Sequence, residues 1–544
     1  MLVKGQGASG GYNRQACTMG YEMNTTQNGN LADAYRSLVE IGLALSGRED
    51  LDSLLETILM SAKRLANADG GTLYLTGDDG DLHYKMLHTT SLNLSTGGTT
   101  GRAPNFPPIP IGDAGSMAAY CGREQVSLNI DDIYDNDAFD FSGPRKFDAG
   151  NGYRTRSMLA IPLVDHHAET IGVLQLINAL DPVSGAPVAF APATQQLCEA
   201  LASQAAIAIS NRALVIQLEE LFLSLITLIN SAIDEKSPYT GGHCNRVPEL
   251  TLMLAEAASA VDHGPLRDFS LSREDLHELR IASLLHDCGK IVTPVHVVDK
   301  ATKLETIFDR IALIDTRFEV VLRDLEIAEL KGQLTAGEHT ARRAAVLADR
   351  KFLRHANIGG ERMSPDDIAR VERIAATQWQ PTGEDSQPFL SANEVENLTI
   401  IAGTLTGAER EIINYHITAT IKMLEALPWP KHLRNVPEYA GGHHERMDGR
   451  GYPKGLRREE MSVQARMLAI ADVFEALTAA DRPYKNGKPL SEALRIMKFL
   501  RDDHHIDPDL FDVFVQEGVF ARYAEQFLPP EQIDAVAVAD LIRA

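Results

Sequence analysis

Leu279-Arg-Ile-Ala-Ser-Leu-Leu-His-Asp-Cys-Gly-Lys290 is an apolar helical stretch that ends on an imidazole, a carboxylate and an ammonium group. An ionised carboxylate among Ile281, Leu284 and Leu285 is costly to bury unless a cation or several donors compensate it. Lys290 stands three residues beyond Asp287, on adjacent helix surface, where it can meet a phosphate or a leaving oxygen. A His-Asp pair alone also reads as a plain hydrogen-bonded pair at a helix end, so the rest of the chain has to decide. Ala465-Arg-Met-Leu-Ala-Ile-Ala-Asp-Val-Phe-Glu-Ala-Leu-Thr478 repeats the puzzle: Asp472 has Leu468, Ala469 and Ala476 on its own helix face. Between the two helices lies Gly442-His-His-Glu-Arg-Met-Asp-Gly-Arg-Gly-Tyr-Pro-Lys-Gly-Leu456, two adjacent imidazoles and then a loop punctuated by Gly and Pro. Imidazole and carboxylate donors without a thiolate suit Fe, Mn or a similar transition ion. The chemistry this predicts is metal-dependent hydrolysis of a phosphoester.

Outward from this core, 544 residues are too many for one ordinary hydrophobic core and predict about three units. Hydrophobic content of 44% and charged content of 23% are those of a folding chain. A formal charge of −23 argues against a general nucleic-acid or anionic-membrane binder. It leaves room for a small anion at a local basic cluster such as Arg450, Lys454, Arg457 and Arg458. The five cysteines are odd in number and form no C-x-x-C pair, which predicts a reducing cytoplasm. No secretory signal is visible, and no stretch reads as the roughly 18 to 20 apolar residues of a membrane helix. His166-His167 and His504-His505 fall in polar turns without a carboxylate pattern and are read as ordinary surface histidines.

Residues 1–30, rich in Gly, Asn, Gln and Thr, are expected to form a disordered tail. Helical patterns follow from residue 31 and over Leu51 to Leu65. Gly71–Thr76 and Leu82–Leu87 then alternate like strands around the turn Gly77–Gly80. Ser157–Val164 and Thr170–Asn178 form a second strand pair, and a helix over about 191–212 closes an α+β domain spanning 31–212. From Leu214 the apolar residues step through Leu218, Leu221, Leu225, Leu228 and Ala232, a heptad seam that predicts a linker helix over 213–236 and a homodimer through it. Beyond it the chain is read as helical over 237–544, with a charged helical insertion at 301–400.

The order of elements over 35–212, with Asn129 to Phe147-Asp148 and Gly152-Tyr-Arg-Thr-Arg-Ser-Met-Leu-Ala-Ile-Pro162, resembles a GAF domain, a module that binds small ligands or dimerises. The segments around His286 and His443 resemble the HD-GYP family of HD phosphohydrolases. The motif extends to Tyr239-Thr240-x-x-His243-x-x-Arg246-Val247, to Gly403-Thr-Leu-Thr406…Ile413-Asn-Tyr-His416, and to Asp472…Ala476-Leu-Thr478…Arg482-Pro-Tyr-Lys485. The resemblance implies a multidomain chain: an α+β GAF sensor joined by a long helix to an all-α HD-type phosphohydrolase domain. It implies two divalent ions held by His243, His286, Asp287, His416, His443, His444 and Asp472, with Asp287 bridging. Lys290 would contact the scissile phosphate, and Gly451, Tyr452, Pro453, Arg482 and Lys485 would hold the dinucleotide. The implied reaction is hydrolysis of cyclic di-GMP to pGpG, with the further step to GMP left open, regulated by a ligand at the GAF domain. Two departures stand out: Tyr239 occupies a position where some members carry a glutamate for a third metal, and Thr478–Arg482 is one residue longer than in many members.

Overall fold

The computed structural model describes residue 42 and residues 50–236, 242–360, 362–380, 385–480 and 487–542. The expected tail over 1–30, Tyr239, Arg482 and Lys485 lie outside these residues. The chain divides into two compact units, Met1–Phe222 and Leu223–Ala544.

In the first unit, the Asp50 carboxylate accepts from Ser53 N and starts the helix Leu51–Ala66. Strands β1 (Ala68–Thr76), β2 (Leu82–Thr89), β3 (Leu94–Gly97), β4 (Leu128–Ile130), β5 (Met158–Val164), β6 (Thr170–Leu180) and β7 (Pro187–Val188) form one antiparallel sheet. Its order is β3-β2-β1-β6-β5-β4, with β7 on β6. Both sequence-read hairpins are present, and β1 joins them by pairing with β6, Leu73 opposite Leu174. Alternation sends Leu73, Leu159, Leu174 and Leu176 to one face, against Leu54, Ile58, Leu201 and Ala205 of the flanking helices. Tyr74, Met158 and Val173 face the other way, towards Met117, Cys121, Ile133 and Phe141. Asp148, from the stretch that carries the GAF resemblance, is buried and fully occupied inside the fold. It accepts from Thr155 N and Thr155 Oγ1, each at 2.8 Å, and from the Tyr134 hydroxyl at 2.9 Å. His166 and His167 are exposed in the β5–β6 turn.

The helix expected over 191–212 and the heptad segment after it are one uninterrupted helix, Pro192–Lys236. Cys198, Leu201, Ala202, Ala205 and Ile209 are buried in its first part. Further along, Leu214, Leu218, Leu221, Leu225 and Leu228 are 48 to 65% exposed. An 18-residue window of this helix has mean hydropathy 1.6, so by length and composition it is apolar enough to cross a membrane. That corrects the expectation of no such stretch, which counted unbroken apolar runs and so passed over one interrupted by Gln, Glu and Ser. The exposed Glu219 and Glu220 inside the segment leave the leucines as a seam rather than an all-round apolar surface.

The second unit packs helices His243–Ala260, Arg273–Leu285, Gly407–Glu425, Val436–Gly441 and Val463–Thr478 around buried Leu254, Leu279, Ile281, Ile417, Leu468, Ile470 and Phe474. Capping boxes at Ser272/Asp275 and Thr406/Glu409 set the starts of two of them. The region expected to be an insertion contains a helical hairpin, Ile311–Leu330 and Ala336–Asn357, tied by Arg350 and Arg354 to Asp315. With helices Pro365–Ala375 and Ala392–Leu398 it closes its own core of Ile314, Phe318, Leu353, Val371, Ile374 and Phe389. A two-residue strand pair, Gln378–Trp379 with Gln387–Pro388, is a small departure from the all-α expectation.

Candidate metal centre

Helix Arg273–Leu285 ends on His286, and the backbone then turns at Asp287 and passes close under helix Gly407–Glu425. Gly289 permits that approach: a Cβ there would lie 2.0 Å from the His416 carbonyl oxygen. Its amide donates to Thr420 Oγ1 at 2.9 Å, and Thr420 Oγ1 donates to the His286 carbonyl at 3.2 Å. These contacts bring His286-Asp287 to His416. The helix Val436–Gly441 ends just before His443-His444, His243 opens its own helix, and Asp472 sits mid-helix in Val463–Thr478.

All seven side chains expected to hold metal converge. His243, His286 and Asp472 place one donor atom each within 4.8 Å of one another, as do His416, His443 and His444, and as do His286, Asp287 and His443. Asp287 is central: its Oδ2 is 3.2 Å from both His243 Nε2 and His286 Nε2, and its Oδ1 is 3.3 Å from His416 Nε2. Asp472 Oδ1 stands 3.4 Å from His243 Nε2. Three rings are oriented alike. The Nδ1 atoms of His286, His416 and His443 face the carbonyls of Ser283, Ile413 and Ala440 at 2.7, 2.5 and 2.6 Å. Donation from Nδ1 leaves Nε2 as a lone pair aimed inward, the tautomer a metal ligand needs. The buried atoms Asp287 Oδ1, His416 Nε2 and His443 Nε2 have no hydrogen-bond partner among the described residues. Such orphans are rare in a folded interior, and their chemistry fits a bound divalent cation.

The electrostatics agree. Burial works against the Asp287 and Asp472 carboxylates, yet Lys290 and His286 hold the first, and His243 and His443 the second, well below the usual carboxylate range. Burial also opposes charge on His243, but Asp287 and Glu475 raise it to about 9. Burial pushes His444 down to about 4 and, with His444 and His286 nearby, holds His443 well below its ordinary value, so both are neutral donors. Lys290 Nζ lies 2.5 Å from Asp287 Oδ2 and supplies local positive charge. Tyr452 stacks on His444 with ring centroids 4.9 Å apart and planes at 18°. Gly451 passes so close to the preceding loop that a Cβ would lie 2.4 Å from Arg446 N, while Pro453 is exposed.

The basic cluster needs a correction. Arg458 is not free for a ligand, because it pairs with Asp507 and Asp509, whereas Arg450, Lys454 and Arg457 are exposed. The two acids lie some fifty positions downstream, so their approach was not readable in the sequence. Sequence reasoning also missed Glu475 and Glu445. Buried Glu475 faces His243 Nδ1 at 2.5 Å and accepts from Arg246 Nε at 2.8 Å. A signal existed: a second acid three residues after Asp472, opposite His243-x-x-Arg246. Glu445 accepts from Lys454 N and Leu456 N at 2.7 and 2.9 Å and so braces the loop that carries Tyr452. Glu475→Gln is expected to weaken metal retention by about 10- to 100-fold, because the carboxylate that orients His243 is gone. Metal titration calorimetry on the stripped protein measures it.

Residues 50–209 match the GAF domain family, and residues 240–366 and 363–510 match two HD domain models. The chain joins a GAF domain to an HD domain. A cyclic di-GMP phosphodiesterase of Pseudomonas aeruginosa is 50% identical over 114 residues, 21% of this chain and 26% of the relative. One of Thermotoga maritima is 36% identical over 121 residues, 22% of this chain and 32% of the relative. A 3'3'-cGAMP-specific phosphodiesterase of Vibrio cholerae is 47% identical over 83 residues, 15% and 19% of the two chains. The GAF–HD chain thus spans a third or less of the length of each of these relatives.

Proposed function

We propose that this GAF–HD chain is an HD-GYP phosphodiesterase that hydrolyses cyclic di-GMP to pGpG, and on to GMP, under control of its GAF domain. The observation that carries the proposal is the buried Asp287 carboxylate, whose two oxygens face different histidines and whose Oδ1, like His416 Nε2 and His443 Nε2, has no hydrogen-bond partner among the described residues. His243, His286 and Asp472 on one side, and His416, His443 and His444 on the other, would hold two divalent ions, Fe or Mn, with Asp287 shared. When bound, such ions lower the pKa of water and neutralise charge developing on a phosphoryl oxygen. The chain's own groups do the rest. Lys290 donates to the scissile phosphate, which needs its ammonium to turn from Asp287 Oδ2. Neutral His443, whose Nδ1 faces the Ala440 carbonyl, keeps its Nε2 lone pair, and the stack with Tyr452 fixes the ring plane of neutral His444. Gly451, Tyr452 and Pro453, with Arg482 and Lys485, are proposed to hold the dinucleotide.

The protein loaded with Fe or Mn is expected to convert cyclic di-GMP to pGpG, read by chromatography. Absence of turnover with metal bound would contradict the reading. A second substrate, 3'3'-cGAMP, is favoured by the Vibrio cholerae relative's specificity, and including it in the same assay separates the two by kcat/KM. We place the chain in the cytoplasm, in keeping with buried free thiols at Cys121, Cys198, Cys244 and Cys288. The partners proposed are the dinucleotide, a small GAF ligand and a second copy of the chain, with neither nucleic acid nor membrane. The exposed leucine seam at Leu214–Leu228 supports the homodimer. Leu221→Glu is expected to shift sedimentation from dimer to monomer; a wild-type chain that sediments as a monomer would dismiss that partner.

A further inference from the structure

Lys236 is the last described residue of the long helix, and among the described residues its ammonium meets no carboxylate. It donates to three main-chain carbonyls, those of Lys290, Ile291 and Thr293, at 3.3, 2.5 and 2.6 Å. An ammonium has three donors, so this one group is saturated by a single short stretch of backbone. That stretch is the tight turn Cys288–Val292 and the residue after it. The turn is held within itself by Lys290 N to Asp287 O at 2.9 Å and Thr293 N to Lys290 O at 3.1 Å. Its two ends are anchored by burial, at Cys288, Gly289 and Thr293. Its middle is not: Ile291 and Val292 are 42% and 52% exposed. The carbonyl oxygens at the end of such a turn carry partial negative charge, which makes them natural acceptors for a cation.

We propose that Lys236 is a positioning residue for the metal centre. By gripping the carbonyls of residues 290, 291 and 293 it sets where the Asp287 carboxylate and the Lys290 ammonium stand. It also ties the end of helix Pro192–Lys236 to the residue pair that faces the substrate. A shift of that helix end moves Lys290 against Asp287, although the three acceptors of Lys236 are backbone carbonyls and none is one of the seven side chains proposed to hold metal. The role in turnover rests on the proposed phosphodiesterase reading; the grip on the backbone does not.

The experiment compares full-length wild type with Lys236→Met, which keeps an unbranched side chain one atom shorter and removes all three donors, and Lys236→Arg, which keeps donors. Hydrogen exchange followed by mass spectrometry reads the amides of the turn. The amides of Lys290 and Thr293 are expected to exchange at least about ten-fold faster in the Met variant, with Arg recovering part of the protection. In the metal-loaded protein, kcat for cyclic di-GMP is expected to fall about ten-fold or more in the Met variant, because small misplacements of catalytic groups are strongly felt. KM is expected to stay within about two-fold and metal content to stay unchanged, a split that general destabilisation would not produce. Wild-type exchange over 288–293 in the Met variant would overturn the proposal, as would an Arg variant that recovers neither protection nor rate. Should the wild type leave cyclic di-GMP intact, the proposed reaction fails, while the exchange comparison still decides the clamp.

Discussion

Asp287→Ala is expected to strip the protein of its metal and to lower turnover by roughly a thousand-fold or more, since several kcal/mol of charge stabilisation depend on the site and each 1.4 kcal/mol is ten-fold in rate. Asp287 reaches both histidine groups, through Oδ2 to His243 and His286 and through Oδ1 to His416. Its removal also leaves Lys290 without the carboxylate that burial demands, so the alanine variant is expected to lose stability as well. Asp287→Asn keeps the volume and removes the charge, and is therefore the cleaner test. It is expected to fold, to retain less than a tenth of the wild-type metal by mass spectrometry, and to be inactive. Full metal occupancy in the Asn variant would contradict the shared-carboxylate account.

Gly289→Ala is expected to be at least as damaging, for a different reason. The added Cβ would lie 2.0 Å from His416 O, 2.6 Å from Thr420 N and 2.7 Å from Thr420 Oγ1. Two of those atoms are backbone in the middle of helix Gly407–Glu425, so no side-chain rotation relieves the clash. The helix must retreat by about an ångström or more, and His416 moves with it. We expect a loss of about 3 kcal/mol or more of stability, at the upper end of overpacking changes, together with loss of metal. Gly143→Ala is the control: a Cβ there meets nothing within 4 Å, and it is expected to leave both quantities unchanged. A Gly289→Ala variant with wild-type melting temperature and metal content would show that the close approach has no importance for the site.

Much of the site was legible in the sequence because charge and burial conflict there openly. An acid flanked by Ile281, Leu284 and Leu285, another by Leu468 and Ala469, and a His-His pair before a Gly-rich loop each break the local rules that ordinary helices follow. The four strands of the two hairpins were legible through their period-two alternation, and their ends moved by only a few residues, whereas the short β3, β4 and β7 carry too few residues to show it. What the sequence did not show were contacts between distant segments. The partners of Arg458 lie at Asp507 and Asp509, and Glu475 gains its role only when helix His243–Ala260 packs against it. The continuity of helix Pro192–Lys236 was hidden because its apolar face changes from buried in its first part to exposed in the seam. The grip of Lys236 on three carbonyls leaves no trace in residue types, since its acceptors are backbone.

A diffraction measurement of the protein saturated with Mn or Fe, with anomalous data collected at the metal edge, tests the shared carboxylate most directly. Two peaks are expected to flank Asp287, one within coordinating distance of His243, His286 and Asp472, the other of His416, His443 and His444. Anomalous peaks absent from the surroundings of Asp287 in metal-saturated crystals would contradict the shared carboxylate.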